Sequence, residues 1–295
     1  MRQERFTNLK NPENEPFPLT RALEKLDAII RERQIKPNQF TGILSSETIR
    51  AANQHQSLTN PEFEENRSFG ALSEGLAVDL IQNHSLFTLP EKFEAEGYLT
   101  ADIDDKQQGV DGIVTLINTA SPEDSTPPIP LGFDVTTNPN QVAEKMYKRT
   151  KLRTGIPYSF AHLQFDPTLL KEPSRSRKQS YPFPLLTIGL SSVHLVSVLS
   201  DWINGKDLSK HPVQRILLEE MRVQLEAYQS LIPKDNAHAP ISRSFRQAAA
   251  VVKFALNSKR DIPLGKFAGD HVFKNILDES NEILHLRDYR SAQSA

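Results

Sequence analysis

Two apolar, β-branched stretches of this chain each carry one aspartate, and they constrain the fold more than any other feature. Residues 109–114 read GVDGIV and contain Asp111, and residues 129–136 read IPLGFDVT and contain Asp134. Stretches of this kind are typical of strands. A carboxylate buried there without a partner costs several kcal/mol, so both aspartates require a cation or hydrogen-bond donors.

The order of predicted elements around these stretches indicates an α/β fold. Apolar residues at three- and four-residue spacing predict helices over 19–34 and 69–84, and strands follow over 93–103, 110–117 and 129–135. Asn138 to Asn140 ends the third strand and caps a helix reaching about residue 152, and further strands are predicted over 158–165 and 183–190. Helices over 193–204, 213–231, 242–256 and 272–284 complete the chain.

We therefore expect three regions. Residues 1–68 form an N-terminal arm with helices, residues 69–190 form an α/β core with a mixed sheet, and residues 191–295 form a C-terminal helical region. The apolar stripes of the C-terminal helices are interpreted as core or as a homodimer face.

Composition excludes several classes of site. The 295 residues include no Cys, which rules out disulfides, thiolate metal sites and cysteine nucleophiles, so any metal must be held by oxygen or imidazole. The N-terminus lacks the apolar stretch of a signal peptide, and no stretch is typical of a membrane span, so we expect a cytoplasmic protein without a membrane partner.

Charge is distributed unevenly although the formal net charge is only −2. Residues 91–134 contain ten acids and two bases, whereas residues 145–178 contain nine bases and two acids. One interpretation is that these are solvated faces and a charged loop. The other is that the basic segment neutralises nucleic-acid phosphates, with DNA favoured over RNA. The candidate phosphate contacts are Lys148, Arg149, Lys151, Arg153, Arg175, Arg177 and Lys178.

Asp111 and Asp134 come side by side if their strands pair as neighbours. Two carboxylates at that distance repel unless a cation neutralises them, so removing one charge is expected to leave folding intact or slightly improved. A few oxygens on rigid strands, with other positions left to water and phosphate, suit Mg²⁺. The alternative is structural, with Asp111 as a strand-end cap and Asp134 in an Asx-type turn.

Glu74 on a helix, Asp111 and Asp134 on successive strands, and then a helix and a strand resemble the αβββαβ core of the PD-(D/E)XK nuclease superfamily. The resemblance covers roughly residues 69–166. It implies a restriction-endonuclease-like fold and a hydrolase that cuts phosphodiester bonds of DNA or RNA with Mg²⁺ or Mn²⁺. Asp111 and Asp134 would bind the metal, and Glu74 would support it directly or through water.

The sequence departs from the family pattern at Thr136, where the superfamily usually has Lys two residues after the acid. A hydroxyl can hydrogen-bond but cannot replace the amine that acts on the attacking water. Some members carry the amine on the following helix, where Lys145 is the candidate catalytic residue. The alternative is a catalytically silent descendant of the fold that binds nucleic acid or protein.

Overall fold

A computed structural model of the chain describes residues 18–34, 61–91, 93–100, 109–118, 129–151, 160–161, 183–235 and 238–293. Within them the helices are α1 (Leu19–Arg33), α2 (Pro61–Asn83), α3 (Val142–Lys151), α4 (Ser192–Ile203), α5 (Pro212–Leu231), α6 (Ala239–Ser258) and α7 (His271–Gln293). The strands are β1 (Phe93–Leu99), β2 (Gly112–Asn118), β3 (Ile129–Thr136), β4 (Phe160–Ala161) and β5 (Phe183–Gly189). The chain is an α/β protein, as the element order predicts.

The strands form one mixed five-stranded sheet in the order β1-β2-β3-β5-β4. β1, β2 and β3 form an antiparallel meander. β5 pairs with β3 in parallel, and β4 pairs with β5 in antiparallel fashion over two residues. Parallel pairing requires a crossover connection, and α3 lies in that crossover.

The strand beside β3 is β5, and not the strand predicted over 158–165. Only 160–161 of that stretch are described as strand, and they pair with the start of β5 rather than with β3. All seven residues of β5 are buried, as expected for a strand covered on both faces. The more continuous apolar run therefore takes the central position.

Helices cover both faces of the sheet. The Val135 side chain lines a small apolar cavity with Ser73, Leu76 and Leu80 of α2, so α2 covers that face of β3. Side chains alternate along a strand, and Asp134 therefore points to the other face. There α3 packs against the sheet and against α7.

α5 completes the backbone hydrogen bonding of β5 with side chains. The Gln224 Oε1 accepts from the Thr187 N–H at 2.8 Å, and the Gln224 Nε2 donates to the Thr187 carbonyl at 2.6 Å. The Glu220 Oε2 accepts from the Gly189 N–H at 3.0 Å. These two buried side chains bond to β5 as a neighbouring strand would, which satisfies groups that are costly to bury unpaired.

The buried carboxylate of Asp79 on α2 connects this helix with α1 and α4. Asp79 is 5% exposed and accepts hydrogen bonds from the Trp202 indole N–H of α4 and from the Asn83 side chain. The Lys25 Nζ of α1 lies 3.8 Å from Asp79 and donates to the Trp202 carbonyl at 2.9 Å. One acid therefore fixes three helices relative to one another.

The Glu220 carboxyl makes stability depend on pH in a defined direction. Burial raises the pKa of Glu220 well above its ordinary value of 4.5, against the opposing effect of the Gly189 N–H. The native state therefore keeps this proton over a pH range in which the unfolded state loses it. The contribution of Glu220 to the free energy of unfolding is therefore fully present below about pH 4.5. It falls as the pH rises from there through the folded-state pKa of Glu220.

We expect Glu220→Gln to remove that decline, because the amide does not titrate. The free energy of unfolding, measured by urea denaturation from pH 4 upward, should fall less steeply by up to about 1.4 kcal/mol per pH unit. Glu226→Gln, at an exposed position of the same helix, is the control and should keep the wild-type slope. Parallel curves for wild type and Glu220→Gln would contradict the assignment.

Candidate functional site

Lys145 contacts the Asp134 carboxylate directly. The Lys145 Nζ lies 2.6 Å from the Asp134 Oδ1 and donates a second hydrogen bond to the Val135 carbonyl at 2.8 Å. The Asp134 side chain is 5% exposed and the Lys145 side chain is 26% exposed. The amine therefore neutralises a buried acid while part of its side chain remains accessible.

Local sequence explains how Lys145 reaches back to β3. Asn138 caps a short 3-10 turn by accepting from the Asn140 N–H at 3.0 Å, and Pro139 starts that turn. Val142 and Met146 are both fully buried, and they hold α3 against the sheet. Lys145 lies between them on the helix, which brings its side chain to Asp134.

Asp111 lies immediately before β2 and faces the same residue of β3. The Asp111 Oδ2 accepts from the Val135 N–H at 2.6 Å, and the Asp111 N–H donates to the Phe133 carbonyl at 3.0 Å. Gly109 has a φ of +62°, a backbone conformation that favours glycine, at the entry to this segment. Asp111, Asp134 and Lys145 thus converge on the backbone of Val135, and we call them the Val135 cluster.

The Val135 cluster resolves the electrostatic problem of two acids in apolar stretches. Asp134 obtains a cation and Asp111 obtains a backbone donor, as burial of carboxylates requires. The two carboxylates and one ammonium together carry a formal charge of −1. That charge favours a further cation at the cluster.

Thr136 contributes to the turn that leads into α3. It is buried, and its hydroxyl lies 3.3 Å from the Asn138 N–H and 3.4 Å from the Asn138 carbonyl. The hydroxyl thus makes long hydrogen bonds within the chain reversal after β3. The amine that contacts Asp134 comes from α3, while Thr136 serves the turn.

Glu74 lies on α2, the helix that covers the face of β3 carrying Val135. It is half-buried there, whereas Asp134 points to the face covered by α3. The Glu74 Oε1 lies 3.8 Å from the place that a Cβ on Gly70 would occupy, so the carboxylate turns toward the start of α2. Among the described residues, no group of three or more Asp, Glu or His side chains is arranged to hold a metal.

The expected phosphate contacts lie largely beyond what the structure describes. Lys148, Arg149 and Lys151 belong to α3, but their side chains are outside the described part of the chain. Arg153, Arg175, Arg177 and Lys178 lie outside the described residues entirely.

Sequence reasoning missed a polar cluster at the end of β5. The buried Asp270 accepts from the Ser191 hydroxyl and from the His194 Nδ1, both at 2.6 Å, and from the Val272 N–H at the start of α7 at 2.8 Å. Burial raises the pKa of Asp270, but the hydrogen bonds from Ser191, Phe273 and His194 outweigh it and leave the pKa below its ordinary value. The position of Asp270 directly before a predicted helix is the signal that could have identified this cap.

The Ser191, His194 and Asp270 cluster is structural rather than nucleophilic. The Ser191 hydroxyl lies 2.6 Å from Asp270 and only 3.3 Å from the His194 Nδ1, the same ring nitrogen that contacts Asp270. A catalytic triad uses the two ring nitrogens separately, one toward the serine and one toward the acid.

No family model, curated protein or solved structure matches this chain. We therefore infer the function from the geometry of the chain's own residues. Within the described ranges, no helix is long and apolar enough to cross a membrane.

We expect Asp134 and Lys145 to be energetically coupled. Asp134→Asn should lower the free energy of unfolding by about 1–3 kcal/mol, because a partly buried ammonium loses its counter-charge. This sign is opposite to the gain expected from repulsion between two acids alone. Lys145→Met should also destabilise the protein, because it leaves the Asp134 charge buried.

The double variant Asp134→Asn/Lys145→Met tests the coupling by urea denaturation. It should be more stable than the sum of the single effects predicts, by about 1–3 kcal/mol. Effects that add to within about 0.5 kcal/mol would show that the pair does not contribute to stability.

Proposed function

We propose that the protein is a metal-dependent nuclease of the PD-(D/E)XK type that hydrolyses phosphodiester bonds. The observation that carries the proposal is the contact of Lys145 with Asp134, beside Asp111 on the neighbouring strand. Two acids and an amine at the ends of paired strands are the groups that such a reaction requires. Here the amine comes from the helix after the acid-bearing strand.

The element order supports the proposal. A helix, three antiparallel strands, a helix and a strand parallel to the third follow one another from α2 to β5. This is the order of a restriction-endonuclease-like core. β4 is a two-residue addition at the outer edge of β5.

The donor set suits a hard cation that keeps several waters. Asp111 and Asp134 supply carboxylate oxygens from adjacent strands, and Mg²⁺ commonly binds through one or two carboxylates together with substrate phosphates. These two residues would hold Mg²⁺ or Mn²⁺, and Glu74 would act at most through water from the other face. When bound, the metal would act as a Lewis acid toward a phosphoryl oxygen.

Lys145 has a role that depends on its two partners. The ammonium has three donors, and Asp134 and Val135 accept two of them, which fixes the position of the nitrogen. An amine held in this way can orient a water or transfer a proton near the bond that is cut.

A second function has specific support. The described residues provide no three-acid group, and Thr136 occupies the usual Lys position. These two observations favour a fold that has lost catalysis and retained binding of nucleic acid or protein. In that case the Lys145 and Asp134 pair serves only the stability of the β3 end.

Cleavage of labelled DNA and RNA oligonucleotides and of plasmid DNA, with Mg²⁺ or Mn²⁺ and with EDTA as control, separates the two functions. Wild type should cut, and Asp134→Asn should abolish cutting. Lys145→Ala should lower turnover by about 10²- to 10⁴-fold with little change in substrate affinity, because the amine acts mainly in the transition state.

Lys145→Arg is the matched control for charge. It keeps a cation beside Asp134, but a guanidinium does not release its proton near neutral pH. If Lys145→Arg is as stable as the wild type but has lost turnover, the Lys145 amine takes part in the reaction. If Lys145→Arg keeps wild-type turnover, Lys145 has only an electrostatic role.

Calorimetry with Mg²⁺ and Mn²⁺ tests the metal separately from cleavage. Wild type should bind a divalent cation, and Asp111→Asn should weaken binding because one carboxylate is lost. Absence of divalent-cation binding in the wild type would contradict the nuclease and leave the silent module.

A further inference from the structure

α6 carries positive charge along one face and no negative charge. Residues 239–258 contain three Lys or Arg, namely Arg243, Arg246 and Lys253, and no Asp or Glu. Phe245, Ala248, Val252 and Ala255 form the buried side of α6. At 100° per residue, the exposed Arg243, Arg246, Ala250, Lys253, Phe254 and Asn257 fall within an arc of about 100° on the opposite side.

The cations of this arc differ from an ordinary solvated helix surface. On α5, Arg222 is neutralised by two acids, with Glu219 at 2.9 Å and Glu226 at 2.7 Å. Arg243, Arg246 and Lys253 form no ion pair with any other described residue. Arg246 lines a surface pocket together with Glu226 and Asp235, while Arg243 and Lys253 are exposed on the same arc.

An aromatic ring lies beside these cations. Phe254 is 47% exposed, and it is one of three large hydrophobic residues exposed in the described part of the chain. It follows Lys253 directly and lies on the same arc. A cationic row next to an exposed aromatic ring matches what single-stranded nucleic acid requires, since phosphates bind cations and bases stack on rings.

The dimensions also fit a phosphate backbone. Arg243 and Lys253 are ten residues apart, which corresponds to about 15 Å along the helix. A row of this length can contact more than one phosphate of the same strand. An acidic protein segment would also supply negative charges to the cations. Unlike a nucleic acid, it would not supply a regular series of aromatic rings that can stack on Phe254.

We propose that this α6 face, comprising Arg243, Arg246, Lys253 and Phe254, is a nucleic-acid-binding surface. The three cations contact phosphates and Phe254 stacks on an unpaired base. The surface is separate from the Val135 cluster and from the basic residues of 148–178. It extends the proposed function by naming a contact for the substrate, and it does not depend on cleavage.

The test measures binding of fluorescein-labelled single-stranded and duplex DNA of mixed sequence, in EDTA, at several salt concentrations. The triple variant Arg243→Gln/Arg246→Gln/Lys253→Gln should bind more weakly on every sequence. The slope of log affinity against log salt should fall in magnitude by about 2 to 3, since each lost phosphate contact contributes about 0.7 to 0.9.

A second triple variant controls for total charge. Arg21→Gln/Lys210→Gln/Lys274→Gln removes the same charge from exposed positions on other elements and should keep the wild-type salt slope. Phe254→Ala should lower affinity for single-stranded DNA by roughly 5- to 100-fold with an unchanged salt slope. Val193→Ala, at another exposed hydrophobic residue, should have no effect.

Three results would overturn the proposal. They are an unchanged salt slope in the α6 triple variant, an equal loss in the control triple variant, or equally tight binding of polyglutamate or phosphatidylserine vesicles to the α6 face. Because the assay contains EDTA, lack of cleavage does not affect its result. Binding in this assay together with absence of cleavage in the separate Mg²⁺ and Mn²⁺ assay would support this surface and contradict the nuclease.

Discussion

The parallel pairing of β3 with β5 determines where the other elements of this protein lie. Two parallel neighbours require a crossover, and the crossover places α3 against the face of β3 that carries Asp134. The pairing is tight at its end, since a Cβ on Gly189 would overlap the Thr136 carbonyl. β5 then needs partners along its outer edge, and α5 supplies them through Gln224 and Glu220.

The ion pair between Lys145 and Asp134 follows from that crossover and connects stability with chemistry. A buried aspartate on β3 would be costly alone, and the first residues of the crossover helix are the nearest source of a cation. The same contact that stabilises the β3 end also holds an amine against the Asp134 carboxylate and the Val135 carbonyl, while Asp111 accepts from the Val135 N–H. A structural role and a catalytic role of Lys145 therefore require the same geometry. Measurements of turnover distinguish the two roles, whereas measurements of stability do not.

Much of this arrangement could be predicted from sequence because the local signals were strong. Hydrophobic periodicity located the helices, although α2 begins at Pro61 rather than at 69 and α7 ends at Gln293 rather than at 284. Apolar runs located β1, β2, β3 and β5 to within a few residues at most ends. Asn138 and Pro139 ended β3 and started the turn before α3 as expected. Lys145, the candidate amine on the helix after β3, does contact Asp134.

The rest depends on packing between distant segments, which periodicity does not encode. Nothing local shows that Gln224 and Glu220 bond to the edge of β5, or that Asp79 joins Lys25 and Trp202 across three helices. The position of Glu74 relative to the sheet depends on how α2 packs across it. The number of residues between Glu74 and Asp111 does not determine this packing. Long-range placement of this kind requires the three-dimensional structure.

Folding also changes how the charges of the sequence should be interpreted. The acidic block of residues 91–134 looks like a site that only an added cation could neutralise, yet Asp134 is already paired with Lys145 and Asp111 with a backbone N–H. The α6 segment has a smaller excess of charge along the sequence, but its three cations share one exposed face of a helix that carries no acid. Charge that remains without a partner after folding, rather than charge counted along the chain, identifies a surface available to a polyanion.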